Sequence, residues 1–236
     1  MNKYHEGIIN LFASYKGNYT NKHDQSYVGS KKFGYPISTP ESRKIIKSWL
    51  KDHSGLSVKE FTGLLDSLSL GKSFNEVTAI GKFLEYCPEL RHSLDPRHLD
   101  SWLDNTEGWA EVDTICAGTF SAEDYLVSWP AWEKLIKDFV KSPNVHKRRA
   151  SLVLLVSPVR QSTDPRLSKL AFENIEKLKG EKDILITKAI SWILRHLITN
   201  HRREVTDYLA KNYNSLPKIA IRETQNKLKS GRKSRK

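Results

Sequence analysis

Apolar residues recur at three- and four-residue intervals along nearly the whole chain, the spacing that gathers side chains onto one face of a helix. Ile8, Ile9, Leu11, Phe12 and Tyr15 set the pattern for a first helix. The stretch 18–38 breaks it, with Gly29, Gly34 and Pro36 among polar residues, and reads as a loop with one short helix near Tyr27. Helix-start signals then follow in quick succession. Thr39-Pro40-Glu41 puts a cap before a proline at the first helical position, where its missing N–H is not needed. Ser57 with Glu60 and Ser73 with Glu76 have the spacing of capping boxes. Asp95-Pro96 and Asp164-Pro165 repeat the cap-then-proline pattern, and Pro130 and Pro217 are placed to open two more helices. The predicted helices cover 3–16, 40–53, 58–69, 75–87, 96–104, 109–119, 130–141, 144–157, 165–179, 183–199, 202–212 and 217–229. No segment alternates with period two for long enough to be a strand.

Short connections between amphipathic helices make antiparallel neighbours, and successive pairs recur at about 40 residues, the range of HEAT and armadillo repeats. The fold class expected is therefore all-α, a HEAT-like repeat α-solenoid (an ARM-repeat superhelix) whose concave face suits an extended partner such as DNA. Residues 1–227 form the repeat domain, and 228–236 a basic C-terminal tail expected to be disordered.

Charge narrows the partner. Thirty-nine Lys and Arg against 27 Asp and Glu give a net charge of +12, a balance that suits a polyanion. The two cysteines, Cys87 and Cys116, lie in apolar helical contexts without ligand spacing, so no metal site is expected and a reducing cytoplasm fits. The first fifteen residues mix polar and apolar side chains without a continuous apolar core, unlike a signal peptide or membrane span.

Three places combine chemically useful residues. Trp109 and Asp113 stand four apart, hence on one helix face. His146-Lys147-Arg148-Arg149 precede an apolar run, and cations at a helix start oppose the macrodipole unless they meet an anion. Trp192 interrupts an aliphatic helix between Lys188 and Arg195. Singly, each has a structural explanation: a half-buried indole beside a capping carboxylate, a solvated basic cap, a core tryptophan. Together, Asp113, Arg149 and Trp192 follow one another at about the repeat period, so equivalent helices of adjacent repeats would carry them.

At these residues the chain resembles the AlkD family of DNA alkylation repair glycosylases. The segment YVGSKKFGYPISTPESR, Tyr27 to Arg43, resembles that family's aromatic-glycine stretch leading to T-P-E-x-R. WAEVDTI resembles its W-x-x-x-V-D-S-I helix, RRASLVLL its Q-R-A-A-I-L segment, and KAISWILR its K-A-I-G-W-x-L-R. Gly108 stands where family members can carry a second tryptophan, and Arg148 where they carry glutamine.

The resemblance implies a monomeric, metal-free and cofactor-free monofunctional glycosylase of base excision repair. It would act on cationic N3- or N7-alkylated purines in double-stranded DNA. Asp113 would stabilise the sugar cation and position water. Trp109 and Trp192 would hold the deoxyribose, and Arg149, with Arg148, Lys147, His146, Lys188 and Arg195, would contact the backbone. The pattern also fits a non-catalytic HEAT-like module for damaged or branched DNA, and a HEAT protein-interaction scaffold.

Overall fold

The computed structural model describes residues 2–16 and 25–234. Residues 18–24 of the expected loop, and Arg235 and Lys236 of the tail, lie outside them. The all-helical expectation holds. The pairing between Phe33 and Ser73 is an isolated bridge, and no β-strand occurs among the described residues. The chain packs as two compact units, Met1–Thr119 and Phe120–Lys236.

The first unit holds α1 (Lys3–Ser14), α2 (Gln25–Val28), α3 (Thr39–Asp52), α4 (Val58–Ser69), α5 (Phe74–Tyr86), α6 (Pro88–His92), α7 (His98–Asp104) and α8 (Trp109–Cys116). Its centre is α5. Every residue from Asn75 to Leu84 is buried, because α1, α3, α4, α6 and α8 all pack on this one helix. Phe83 meets Trp49 and Phe61 edge-on, with ring centroids 5.5 and 6.5 Å apart. α5 admits α8 this closely only because residue 81 is glycine. A Cβ there would lie 1.8 Å from the Thr114 carbonyl oxygen, far inside contact distance.

The second unit holds α9 (Ala122–Val127), α10 (Trp129–Phe139), α11 (Val145–Val153), α12 (Pro158–Gln161), α13 (Pro165–Leu178), α14 (Ile184–Lys211) and α15 (Lys218–Ser230). Here α14 is the centre, packed by α11, α12, α13 and α15. Ile186, Ile190, Ile193, Leu194 and Leu197 are fully buried along it, each contributing about 1.5–3 kcal/mol of burial.

Several boundaries differ from expectation, each for a local reason. The cap of α3 is Ser38, not Thr39: its hydroxyl accepts from Glu41 N–H while the Glu41 carboxylate accepts from Ser38 N–H, a full capping box. The Asp95 carboxylate accepts from Arg97 N–H in a turn, so α7 begins at His98. The helix expected to reach 119 stops at Cys116, ahead of Gly118 at φ 75° in the left-handed region. The helix expected over 144–157 ends at Val153, and α12 starts afresh at Pro158, which has no N–H to continue the ladder. The helices expected at 183–199 and 202–212 do meet end to end, at a kink where His201 has φ −128° and ψ 38°. Leu228–Ser230 continue α15, and the residues after it turn back at Gly231 (φ 71°). There the Lys227 ammonium donates to the Gly231 carbonyl and Asn226 to that of Lys233.

Gly81→Ala should therefore destabilise the first unit by about 3 kcal/mol or more, since backbone cannot yield as a side chain can. Urea unfolding followed by circular dichroism measures it. A gain near the roughly 1 kcal/mol that Ala ordinarily brings over Gly in a helix would contradict the close crossing.

Candidate functional site

Helix α8 carries the first predicted pair. Its start is fixed by a buried carboxylate. Glu111, fully buried, accepts from the N–H groups of Glu107 at 2.5 Å and Gly108 at 3.3 Å, and from the Ser30 hydroxyl at 2.7 Å. The Lys32 ammonium stands 3.6 Å away and donates to the Asn105 carbonyl at 2.5 Å. A carboxylate in the first turn satisfies orphan N–H groups and favours the positive end of the helix dipole. Because residue 108 has no side chain, this is half of a capping box, supplied wholly by Glu111.

Above that anchor the chain at 28–30 crosses the helix start with backbone against backbone. A Cβ on Gly108 would sit 2.2 Å from the Val28 carbonyl oxygen. This accounts for the missing second tryptophan: no side chain fits at 108 while the loop lies there. The same crossing holds Trp109. Its indole N–H donates to the Tyr27 carbonyl at 2.6 Å, and the Tyr27 ring meets the indole edge-on at 5.6 Å and 86°. Trp109 and Asp113 are both half-buried, one turn apart on the same face, with Tyr27 exposed beside them. A fixed aromatic plate next to a carboxylate at a partly open surface can hold a sugar or base by its apolar face and set negative charge against it.

The other predicted residues belong to the second unit, where α11 packs on α14. Expected as a phosphate clamp, the α11 arginines are engaged within the unit instead. Arg149 is 5% exposed and donates to the Leu185 carbonyl at 2.6 Å. Arg148 holds Glu181 through two nitrogens, at 2.8 and 3.2 Å, and caps the Ser142 and Pro143 carbonyls at 2.9 Å. Lys147 is buried and His146 half-buried. On α14, Lys188 is exposed, whereas Arg195 donates to the Ser191 carbonyl and lies 3.5 Å from Glu223.

Trp192, half-buried, donates its indole N–H to His196 Nε2 at 2.9 Å. That ring nitrogen must carry a lone pair, so the imidazole is neutral with its proton on Nδ1. Burial first, and then the Arg160, Arg195 and Lys227 charges, pull its pKa down to about 4, which keeps it an acceptor at neutral pH. Neither this histidine nor the Ser30–Lys32–Glu111 network was evident in the sequence. Only Glu111, three residues after Gly108, carried a readable signal, as a capping residue.

Both cysteines are free thiols, and burial, then Glu89, pushes the Cys87 thiol up to about 11. Among the described residues no group of three or more His, Cys, Asp or Glu could hold a metal, and no helix is long and apolar enough to cross a membrane.

The family model for DNA alkylation repair enzymes matches residues 8–228. The chain belongs to this family. No curated protein sequence matches it significantly. Its fold is similar to a solved structure described as a predicted DNA alkylation repair enzyme from Enterococcus faecalis. That likeness has a TM-score of 0.72 at 17% identity, and spans 87% of this chain and 93% of the other. Membership of the DNA alkylation repair enzyme family supports a role in the repair of alkylated DNA.

The bond between Trp192 and His196 gives this repair-family protein an acid-sensitive contact. The folded imidazole titrates near 4 and an ordinary one near 6.5. Between those values the unfolded chain takes up a proton that the folded one refuses. The contribution is thus fully present above about pH 6.5 and lost as pH falls towards 4. Wild type should lose more thermal stability than His196→Gln, which retains an acceptor, on moving from neutral pH to about 4. Equal losses in parallel melts would contradict the assignment.

Proposed function

We propose that this protein is a monofunctional DNA glycosylase. It hydrolyses the N-glycosidic bond of purines alkylated at N3 or N7 in duplex DNA, and works as a cytoplasmic monomer without a metal. The observation that carries this reading is Asp113 on the same face of α8 as Trp109, whose ring is held edge-on by Tyr27 at a partly open surface. Family membership supports alkylated DNA as the setting.

The chemistry follows from the leaving group. A purine alkylated at N3 or N7 is a cation, so when its bond to C1′ breaks the electron pair neutralises the base and no general acid is required. The sugar passes through an oxocarbenium-like state. Asp113 stabilises that cation and orients water, which adds at C1′ and gives its proton to solvent. Trp109 offers its ring face to the deoxyribose, and Trp192 offers its own to the backbone of the lesion strand. A flanking phosphate is met at this surface by Lys188, the exposed cation of α14, backed by the charge of Arg149, which is buried and bonded to the Leu185 carbonyl. Arg148, Lys147, His146 and Arg195 contribute mainly by shaping and charging that surface, since Arg148 and Arg195 are engaged within the unit.

A carboxylate about 4 Å from a developing cation is worth roughly 4 kcal/mol at an effective dielectric near 20. That is about a thousandfold in rate. Asp113→Asn keeps the shape and removes the charge. Single-turnover release of 7-methylguanine should fall by about two to three orders of magnitude, with duplex affinity nearly unchanged. Excision at the wild-type rate would refute the role of Asp113.

The same mechanism sets a limit on substrates. 3-Methyladenine and 7-methylguanine should be released, whereas uracil, 8-oxoguanine and O6-methylguanine, which would leave as anions, should stay in place. Abasic product is quantified for each lesion at equal enzyme and DNA. Uracil release matching that of 7-methylguanine would contradict the mechanism.

A further inference from the structure

On the α5–α8 side of the first unit lies a cavity of about 200 Å³. Thr39 and Arg43 of α3, Thr78, Lys82 and Glu85 of α5, Thr114 of α8, and Thr119 all contribute to its lining, the Glu85 carboxylate being paired with Arg43. Lys82 is its unusual member. The residue is 5% exposed, and its ammonium donates to the Thr78 carbonyl at 3.1 Å and the Thr78 hydroxyl at 3.4 Å. An ammonium has three protons to place, and among the described residues no carboxylate stands within ion-pairing distance of this one. Lysine is almost never buried unless paired, because a desolvated charge without a counter-charge is costly.

The surroundings increase that imbalance. Arg43 adds a second cation at the cavity, bound to Glu85 at 2.6 Å and to the Tyr86 hydroxyl at 3.1 Å. Burial first, then the Arg43 charge, draws the Lys82 ammonium down to about 8, with Glu85 opposing. The Thr39 hydroxyl makes no side-chain bond among the described residues, and that of Thr119 makes a long one, 3.4 Å, to the Thr114 carbonyl. Two cations and two hydroxyls thus have donors to offer an oxygen-rich anion. The volume is below the roughly 300 Å³ at which pockets for small organic ligands usually begin. A compact tetrahedral anion fits better than a nucleoside.

We propose that this cavity is a phosphate site, that it takes a phosphodiester of the DNA backbone, and that Lys82 is its buried counter-charge. The choice of DNA rests on the glycosylase reading above. Thr114 follows Asp113 on α8, about 100° further round the helix, so a strand phosphate seated here would be held at a fixed offset from the face that carries the proposed carboxylate. Lys82 is in this sense a positioning residue. Contacts of this kind set affinity and register without reading sequence.

The test measures binding of an undamaged labelled duplex by fluorescence anisotropy, from about 50 to 200 mM salt. Lys82→Met, similar in length and at ease in an apolar setting, should weaken binding about tenfold and reduce the slope of log K against log salt by roughly 0.9. If circular dichroism shows that this variant does not fold, the double variant Arg43→Gln with Glu85→Gln removes the other cation without stranding its partner. It should shift the slope in the same direction. Unchanged affinity and slope in the folded variants would overturn the DNA assignment. A second arm compares melting in inorganic phosphate and in chloride at equal ionic strength. Phosphate should stabilise the wild type and not Lys82→Met. Stabilisation through Lys82 with an unchanged DNA slope would mean that the site takes free phosphate instead. No difference in either arm would overturn the site altogether. A wild type that binds no duplex would refute the glycosylase reading itself, while the phosphate arm would still decide whether the cavity is a phosphate site.

Discussion

The crossing of α5 and α8 at Gly81 is the constraint on which the first unit depends. A helix normally keeps its neighbour at about 8–10 Å, the distance set by interposed side chains. Here a Cβ would fall 1.8 Å from the Thr114 carbonyl oxygen, so the two backbones are in direct contact. That contact fixes α8 in depth and rotation against the most buried helix of the unit. The opposite end of α8 is gripped in the same manner. Gly108 lies under the Val28 carbonyl, and the buried Glu111 ties the helix start to Ser30, Glu107 and Gly108. A helix of eight residues is too short to be stable by its own hydrogen bonds. It is ordered because both ends are clamped by backbone.

Function and fold share these clamps. The loop that excludes a side chain at 108 also supplies the carbonyl that holds the Trp109 indole. The glycine that admits α8 precedes Lys82, and the carbonyl it faces belongs to Thr114, next to Asp113. Rigidity at the carboxylate has a physical purpose in the chemistry proposed. Charge stabilisation of a sugar cation requires a carboxylate that does not have to be reorganised when the cation appears. A helix held by glycine contacts at both ends supplies such an orientation without a deep pocket.

The second unit solves a different problem with the same means. It gathers several cations around α14 and satisfies most of them internally. Arg148 grips Glu181, Arg149 the Leu185 carbonyl, and Arg195 the Ser191 carbonyl. Of these guanidiniums, Arg149 ties α11 to α14, Arg148 ties α11 to the chain just before α14, and Arg195 bonds within α14; together they leave a positive field on the unit. Trp192 is braced too, by a histidine whose own charge is suppressed by burial and then by its cationic neighbours.

Much of this was legible in the amino-acid sequence. Helical spacing, capping boxes at Ser57 and Ser73, and prolines at helix starts located most helices, because those signals are local and the residues that satisfy them are within four positions of one another. The pairing of Trp109 with Asp113 was equally local, one helical turn apart. The family followed from short motifs kept in order along the chain. What the sequence could not express is anything that depends on residues far apart in the chain meeting in space. That Gly81 admits a carbonyl 33 positions later, that Gly108 underlies Val28, and that Lys82 is buried without a carboxylate were decided only when the helices packed. A glycine or lysine carries the same local signal whether it faces solvent or another backbone. Only the tertiary contact distinguishes the two.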